Sequence, residues 1–265
     1  MTLAARHLAY DCTGTGARVV LLHPIGLDRR FWARMADELK GELELCAFDL
    51  PGHGTSPITD GSVSIEGLAA AVEDTMRTDG LGPAIVVGCS LGGMIAQALA
   101  TRAPDLVRGL VLANTNFTQT EQGRAAMRQR AAEARKGMNA VVDTCLERWF
   151  APDVAAADPK GMALIREMLL AGDPDVHARC WEAIGNLDLG AVLPTITVPC
   201  LVVAGGDDRS IPAEKSRALA GLLPRATLHT IEGAGHLTPF ERPADFAELL
   251  RHFALKLADE QMEET

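Results

Sequence analysis

Ser90 stands between two glycines in Gly88-Cys89-Ser90-Leu91-Gly92, the order G-x-S-x-G. The small and β-branched run Ala84 to Val87 precedes it, and the helix-prone run Met94 to Ala103 follows. A strand, a sharp turn and a helix with serine at the apex is the arrangement that pushes a hydroxyl out of a fold as a nucleophile. Glycine suits both flanks, because strand and helix backbones approach there and leave no room for a β-carbon. A serine hydroxyl attacks carbon poorly at neutral pH unless a base touches it and an acid orients that base. Among the seven histidines, only His236 lies in a glycine-rich loop directly after a strand near the C-terminus, Glu232-Gly233-Ala234-Gly235-His236. The acid is read as Asp208, in the loop after the apolar run Cys200 to Ala204. The rival strand end, Asn114-Thr115-Asn116-Phe117, has no carboxylate before Glu121, and Asp207 is read as a turn or helix cap. The chain order is then nucleophile Ser90, acid Asp208, base His236. A developing oxyanion needs N–H donors, and these are read as the backbone amides of Leu91 and Ile25, since Pro24 has no N–H to give.

The elements that would hold these groups are legible as alternating strands and helices. Strands are predicted over 6–12, Val19 to Leu22, Leu43 to Phe48, Ala84 to Gly88, Val107 to Ala113, Cys200 to Ala204 and Ala226 to Ile231. Helices are predicted over Arg30 to Leu39 with Asp28 as N-cap, and over Ser64 to Arg77. Further helices follow Ser90, span Ala213 to Leu222 and close the chain from Pro243 to Leu257. Continuous apolar strands alternating with helices imply an α/β fold, a mostly parallel sheet covered by helices on both faces. Working residues of such sheets gather at the carboxyl ends of the strands, so Ile25, Ser90 and Asn114 should share one edge.

The alternation breaks between Gln119 and Leu193. Helical patterns there run over 121–136, 139–150, 160–171 and 175–186, punctuated by Asp153, Pro159, Gly172-Asp173-Pro174 and Gly185-Asn186. The chain therefore divides into a core of residues 1–118 and 194–265 and an inserted helical cap of residues 119–193 over the strand ends. Gly26, Trp149 and Trp181 are candidate pocket-lining residues. His7, His177, His229 and His252 fall on ordinary strand or helix positions and are read as surface or core. His23 and His53, in strand-end loops, are read as hydrogen-bonded to neighbouring backbone.

The net charge of −10 repels phosphate backbones, which argues against a nucleic-acid partner. No apolar run approaches the ~18–20 residues of a membrane helix, and the N-terminus has no signal-peptide core. The six cysteines, Cys12, Cys46, Cys89, Cys145, Cys180 and Cys200, show no metal-ligand spacing. They are read as free thiols filling space in a reducing compartment, so a cytoplasmic location is expected.

The stretches LLHPIGLDRRFW, FDLPGHGTSP, VVGCSLGGMIAQALA, VVAGGDDRSIP and EGAGHLTPFERP together resemble the α/β-hydrolase superfamily across nearly all of the chain outside 119–193. The His-Pro-Ile-Gly-Leu-Asp stretch followed by Trp32, with Ser-Leu-Gly-Gly-Met at the turn, is most similar to 3-oxoadipate enol-lactonases and their relatives. Non-haem haloperoxidases are also similar, whereas haloalkane dehalogenases place aspartate where Ser90 stands. The resemblance implies a hydrolase of a small ester or lactone that needs no cofactor and no metal. Perhydrolysis or C–C bond hydrolysis by the same residues is the enzymatic alternative, and a low-turnover ligand receptor is the alternative of another class. A homo-oligomer is a possible assembly.

Overall fold

The computed structural model describes residues 7–39, 41–58 and 63–263. Numbered in chain order, the strands are β1 Tyr10–Thr13, β2 Ala17–Leu22, β3 Leu43–Phe48, β4 Ala84–Cys89, β5 Val107–Ala113, β6 Cys200–Gly205 and β7 Ala226–Ile231. The helices outside the 119–193 segment are α1 Ala33–Glu38, α2 Ile65–Thr78 and α3 Leu91–Arg102, then α9 Ala213–Leu222, α10 Thr238–Glu241 and α11 Pro243–Glu263. Between β5 and β6 lie α4 Glu121–Ala134, α5 Val142–Trp149, α6 Pro152–Ala157, α7 Pro159–Ala171 and α8 Pro174–Gly185.

The seven strands form one sheet in the order β1-β3-β2-β4-β5-β6-β7. Only the β1–β3 pair is antiparallel. The chain steps from β2 to β3 in one direction and then reverses across β2 to β4, β5, β6 and β7. Right-handed crossovers therefore put α1 on one face and α2, α3 and α9 on the other. The packing agrees: α1 lies on α11, and α2 lies on α3. β4 and β6 are buried throughout, and β5 is buried except at Arg108, which explains their apolar sequences. The reversal makes β2 and β4 a topological switch point, where the carboxyl ends of an open parallel sheet leave a crevice.

Register brings the loops that matter to one edge. Leu22 pairs with Gly88, Cys89 with Ala113, Ala113 with Val203, and Gly205 with Ile231. Backbone bonds then carry the ladder past the strand ends. Ser90 N–H donates to Ala113 O at 2.9 Å, and Asn114 N–H to Val203 O at 2.9 Å.

Several sequence expectations change. The first strand is shorter than 6–12, begins at Tyr10 and runs antiparallel on β3; Arg6 lies outside the described residues. The helix expected from Arg30 begins as a 3₁₀ turn, Arg29–Trp32, whose N-cap Asp28 accepts from Arg30 N–H, and only then becomes α1. Asp153, read as a helix break, lies in the first turn of α6 behind Pro152. Cys12 and Cys46 are not free: the antiparallel register sets them opposite one another, and a disulfide joins them. That pairing removes the cysteine argument for a reducing compartment. The other four cysteines are free and buried. Among the described residues no helix is long and apolar enough to cross a membrane.

Candidate active site

The turn after β4 is built by exclusion. A β-carbon at Gly88 would fall 2.3 Å from Gly92 O, and one at Gly92 would fall 2.0 Å from Leu22 O. Only glycine lets α3 start this close to β4 and β2. Ser90 pays for the tight turn with φ 53° and ψ −114°, a conformation that L-residues rarely adopt. Its carbonyl is held by the Thr115 hydroxyl at 2.7 Å.

His236 Nε2 lies 2.9 Å from Ser90 Oγ, and His236 Nδ1 lies 2.9 Å from Asp208 Oδ2. All three residues are buried. Asp208 is acceptor-only when ionised, so Nδ1 carries the proton and Nε2 is free to accept from the serine hydroxyl. The other carboxylate oxygen, Asp208 Oδ1, accepts from Ser210 N–H at 2.7 Å and Ile211 N–H at 2.9 Å. Burial pushes the Asp208 pKa up. The facing His236, its hydrogen bond and those from Ile211 and Asn114 outweigh burial and hold the carboxyl below its ordinary value.

Two further residues brace the cluster; sequence reasoning placed Asn114 on the shared edge without a role and did not mark Glu241. Asn114, at the end of β5 with φ 49°, donates from Nδ2 to Asp208 Oδ2 at 3.0 Å and to Gly235 O at 3.1 Å. Its tolerance of positive φ was the available signal. Glu241, in α10, accepts from Gly235 N–H and Leu237 N–H, each at 2.9 Å, gripping the backbone on both sides of His236. Burial pushes the Glu241 pKa up against those bonds. No sequence pattern marks it.

The N–H groups of Ile25 and Leu91 take part in no hydrogen bond among the described residues. Gly26, next to Ile25, has φ 73° and gives its N–H to His53 Nε2 at 3.1 Å. His23 Nε2 accepts from Leu50 N–H at 3.0 Å while its Nδ1 faces Pro24 O at 2.7 Å. Both histidines thus have the structural backbone bonds expected of them. They tie the loop after β2 to the loop after β3. Burial lowers the His23 pKa to about 3, with His53 adding to the effect, and burial lowers that of His53 also.

The helical segment reaches the same edge. Trp149 O accepts from His236 N–H at 2.6 Å, and the Trp149 ring centroid lies 6.4 Å from that of His236. His177 and Leu169 press on Gly26, and Val176 on Gly52. Trp181 is not brought to Ser90 or His236. It packs edge-on to His177, beneath the guanidinium groups of Arg130 and Arg148, and lines a separate cleft of about 530 Å³ between α4, α5 and α8. Cys89 is buried behind the turn, its thiol 3.8 Å from His236 O. Asp207, read as a turn cap, is bound through its backbone N–H to Ala234 O at 2.9 Å.

A parallel sheet with a switch point, a strained serine turn after a central strand and a histidine loop at the far strand end define a class. The alpha/beta hydrolase family profile matches residues 19–249, and the chain belongs to that family. A pimeloyl-[acyl-carrier protein] methyl ester esterase of Chromobacterium violaceum is 32% identical over 250 residues, covering 92% of this chain and 96% of that protein. 3-oxoadipate enol-lactonase 2 of Acinetobacter baylyi is 27% identical over 250 residues, 92% of each chain. The crystal structure of the enol-lactonase from Burkholderia xenovorans LB400 superposes with a TM-score of 0.88 at 30% identity, covering 94% of this chain and 96% of that one.

Proposed function

We propose that this chain is a serine hydrolase of a small ester or lactone that works through an acyl-enzyme. The carrying observation is the contact series Ser90 Oγ, His236 Nε2, His236 Nδ1, Asp208 Oδ2, with 2.9 Å at both hydrogen bonds. Ser90 attacks the substrate carbonyl while His236 Nε2 takes the hydroxyl proton. Asp208 holds the Nδ1–H tautomer and stabilises the imidazolium that results. The Ile25 and Leu91 amides receive the oxyanion, and each such donor contributes about 3 kcal/mol to lowering the barrier. His236 then gives its proton to the leaving oxygen. Water, activated by the same imidazole, attacks the acyl-enzyme and releases the acid and Ser90. The esterase and enol-lactonase names of the similar proteins support ester and lactone chemistry.

In this reading residues 119–193 act as a cap. Trp149 would screen the imidazole from water, and Gly26 would lie in the floor of the substrate site. Trp181 would support His177 from behind.

Ser90→Ala should lower kcat on p-nitrophenyl acetate by about 10⁴-fold or more. Undiminished turnover in that variant defeats the proposal. Asp208→Asn should fall by a comparable factor of ~10⁴, because the wrong imidazole tautomer is then favoured. Product analysis with peroxide and halide separates hydrolysis from perhydrolysis, and a vinylogous diketone tests C–C cleavage.

A further inference from the structure

His177 is 1% exposed, and neither of its ring nitrogens has a hydrogen-bond partner among the described residues. It projects from α8 onto the loop that follows β2. A β-carbon placed on Gly26 would lie 2.7 Å from both His177 Nδ1 and His177 Cε1. The imidazole therefore rests directly against the residue after Ile25. Trp181 meets the ring edge-on, with centroids 5.9 Å apart at 80°. Leu169 approaches Gly26 beside it. These neighbours offer the ring shape and no polar atom. A phenylalanine would fill the same space without burying two unsatisfied nitrogens, so packing alone does not account for histidine here. By contrast, His23 and His53, equally buried, have both ring nitrogens engaged.

The ring is uncharged. Burial pushes its pKa down to about 3, and neighbouring His53 and the Arg148 guanidinium act in the same direction. A neutral imidazole presents one N–H donor and one acceptor, a pair suited to a keto, hydroxyl or ether oxygen rather than to a charged group. The direction of the contact follows from the proposed chemistry. The leaving oxygen must face His236 Nε2, on the Trp149 side, to receive its proton. His177 rests on the residue after Ile25 instead, so in this reading it would face the part of the substrate that stays bound to Ser90.

We propose that His177 is a substrate-contacting residue which hydrogen-bonds an oxygen on the acyl portion of the substrate, selecting oxygen-bearing esters and lactones over their alkyl isosteres. This rests on the serine-hydrolase reading above. A site built to hydrogen-bond a substrate oxygen discriminates strongly against the analogue lacking it, because its own polar group is then left unpaired.

The test uses isosteric pairs: p-nitrophenyl methoxyacetate against p-nitrophenyl butyrate, and 1,4-dioxan-2-one against δ-valerolactone. The quantity read is the ratio of kcat/KM within each pair, which cancels differences in protein concentration and folding between variants. His177→Phe should lower both ratios by about tenfold or more, chiefly through KM for the oxygenated member. His177→Gln, which keeps a donor and an acceptor, should retain most of the wild-type ratio. An active His177→Phe with unchanged ratios overturns the proposal, even if both members slow equally. A second readout needs no substitution at 177. In full-length Ser90→Ala protein with ¹⁵N-labelled histidine, dioxanone should shift the His177 ring nitrogens and valerolactone should not. Equal responses to the two lactones overturn it as well. Failure of the hydrolase reading looks different, since wild type would then turn over neither member of either pair.

Discussion

At the scale of single residues, the chemistry depends on groups that never meet substrate. Asn114 Nδ2 ties Asp208 to Gly235, the residue before His236. Asn114→Ala should lower kcat by about 10-fold while leaving KM for p-nitrophenyl acetate nearly unchanged, because orientation of the relay is lost and binding is not. A matched rise in KM would place Asn114 in substrate binding instead. Glu241 has the same kind of role from the other side. Glu241→Gln keeps the shape but turns an NH₂ toward a backbone N–H that the carboxylate oxygen now accepts. Leaving that buried donor unpaired costs about 1–3 kcal/mol. The urea midpoint of Glu241→Gln should drop accordingly, with kcat falling as the His236 loop loosens; a midpoint equal to wild type defeats this account. Ser90, Asp208 and His236, which the structure brings into one hydrogen-bonded series, stood out in the sequence because each follows a strand or sits in a glycine-rich loop. Asn114 and Glu241 did not, since their partners are brought to them only by the sheet order. Asn114 meets Asp208 across β5 and β6, 94 positions apart in sequence.

At the scale of elements, the strands were the most legible part. Leu43–Phe48 and Val107–Ala113 run between the residues that apolar periodicity indicates. The places where reading failed are those decided by contacts between distant segments. The β1 strand is polar and exposed, and its pairing with β3, which joins Cys12 to Cys46, leaves no mark in local sequence. The seating of α8 is of the same kind. Val176 and His177 are adjacent, and they rest on two different loops through Gly52 and Gly26, both at φ 73°. Glycine is needed there for backbone conformation and for room. The two requirements separate by comparison with Gly41, at φ 81° with no atom within 4 Å of an added β-carbon. Gly41→Ala should cost only the left-handed backbone penalty of about 1–2 kcal/mol, read from the thermal midpoint, with kcat/KM unchanged. Gly52→Ala would place its β-carbon 2.9 Å from Val176 Cγ1 and so displace α8. Its kcat/KM on the oxygenated esters should fall by about 10-fold or more, beyond the same backbone penalty. Equal kinetics in the two variants would mean that α8 does not transmit the seating to the site.

At the scale of the whole molecule, the helical segment, the loop after β2 and the loop after β3 meet around three buried histidines. His23 and His177 have pKa values pushed down to about 3 by burial, and His53 is lowered by the same cause. In the unfolded chain each titrates near 6.5. Between those limits the unfolded state binds protons that the folded state refuses, so stability is fully present above pH ~6.5 and is lost as pH falls toward the folded values. The full slope for one such group is about 1.4 kcal/mol per pH unit. His23 and His177 together remove on the order of 3 kcal/mol between pH 7.5 and 5.5, and His53 acts in the same direction. Glu241 acts with the opposite sign: its raised pKa lets the folded state hold a proton longer, and that contribution is lost as pH rises. It is one group against three. Asp208, held below its ordinary value, adds its own loss only as the pH falls through the carboxylate range. Urea titrations at pH 7.5, 6.5 and 5.5 should show the midpoint falling in step. His23→Gln, whose amide oxygen can still accept from Leu50 N–H, should make the slope measurably shallower. A midpoint independent of pH across that range would show that these histidines titrate in the folded state as they do in the unfolded chain, and would defeat this account.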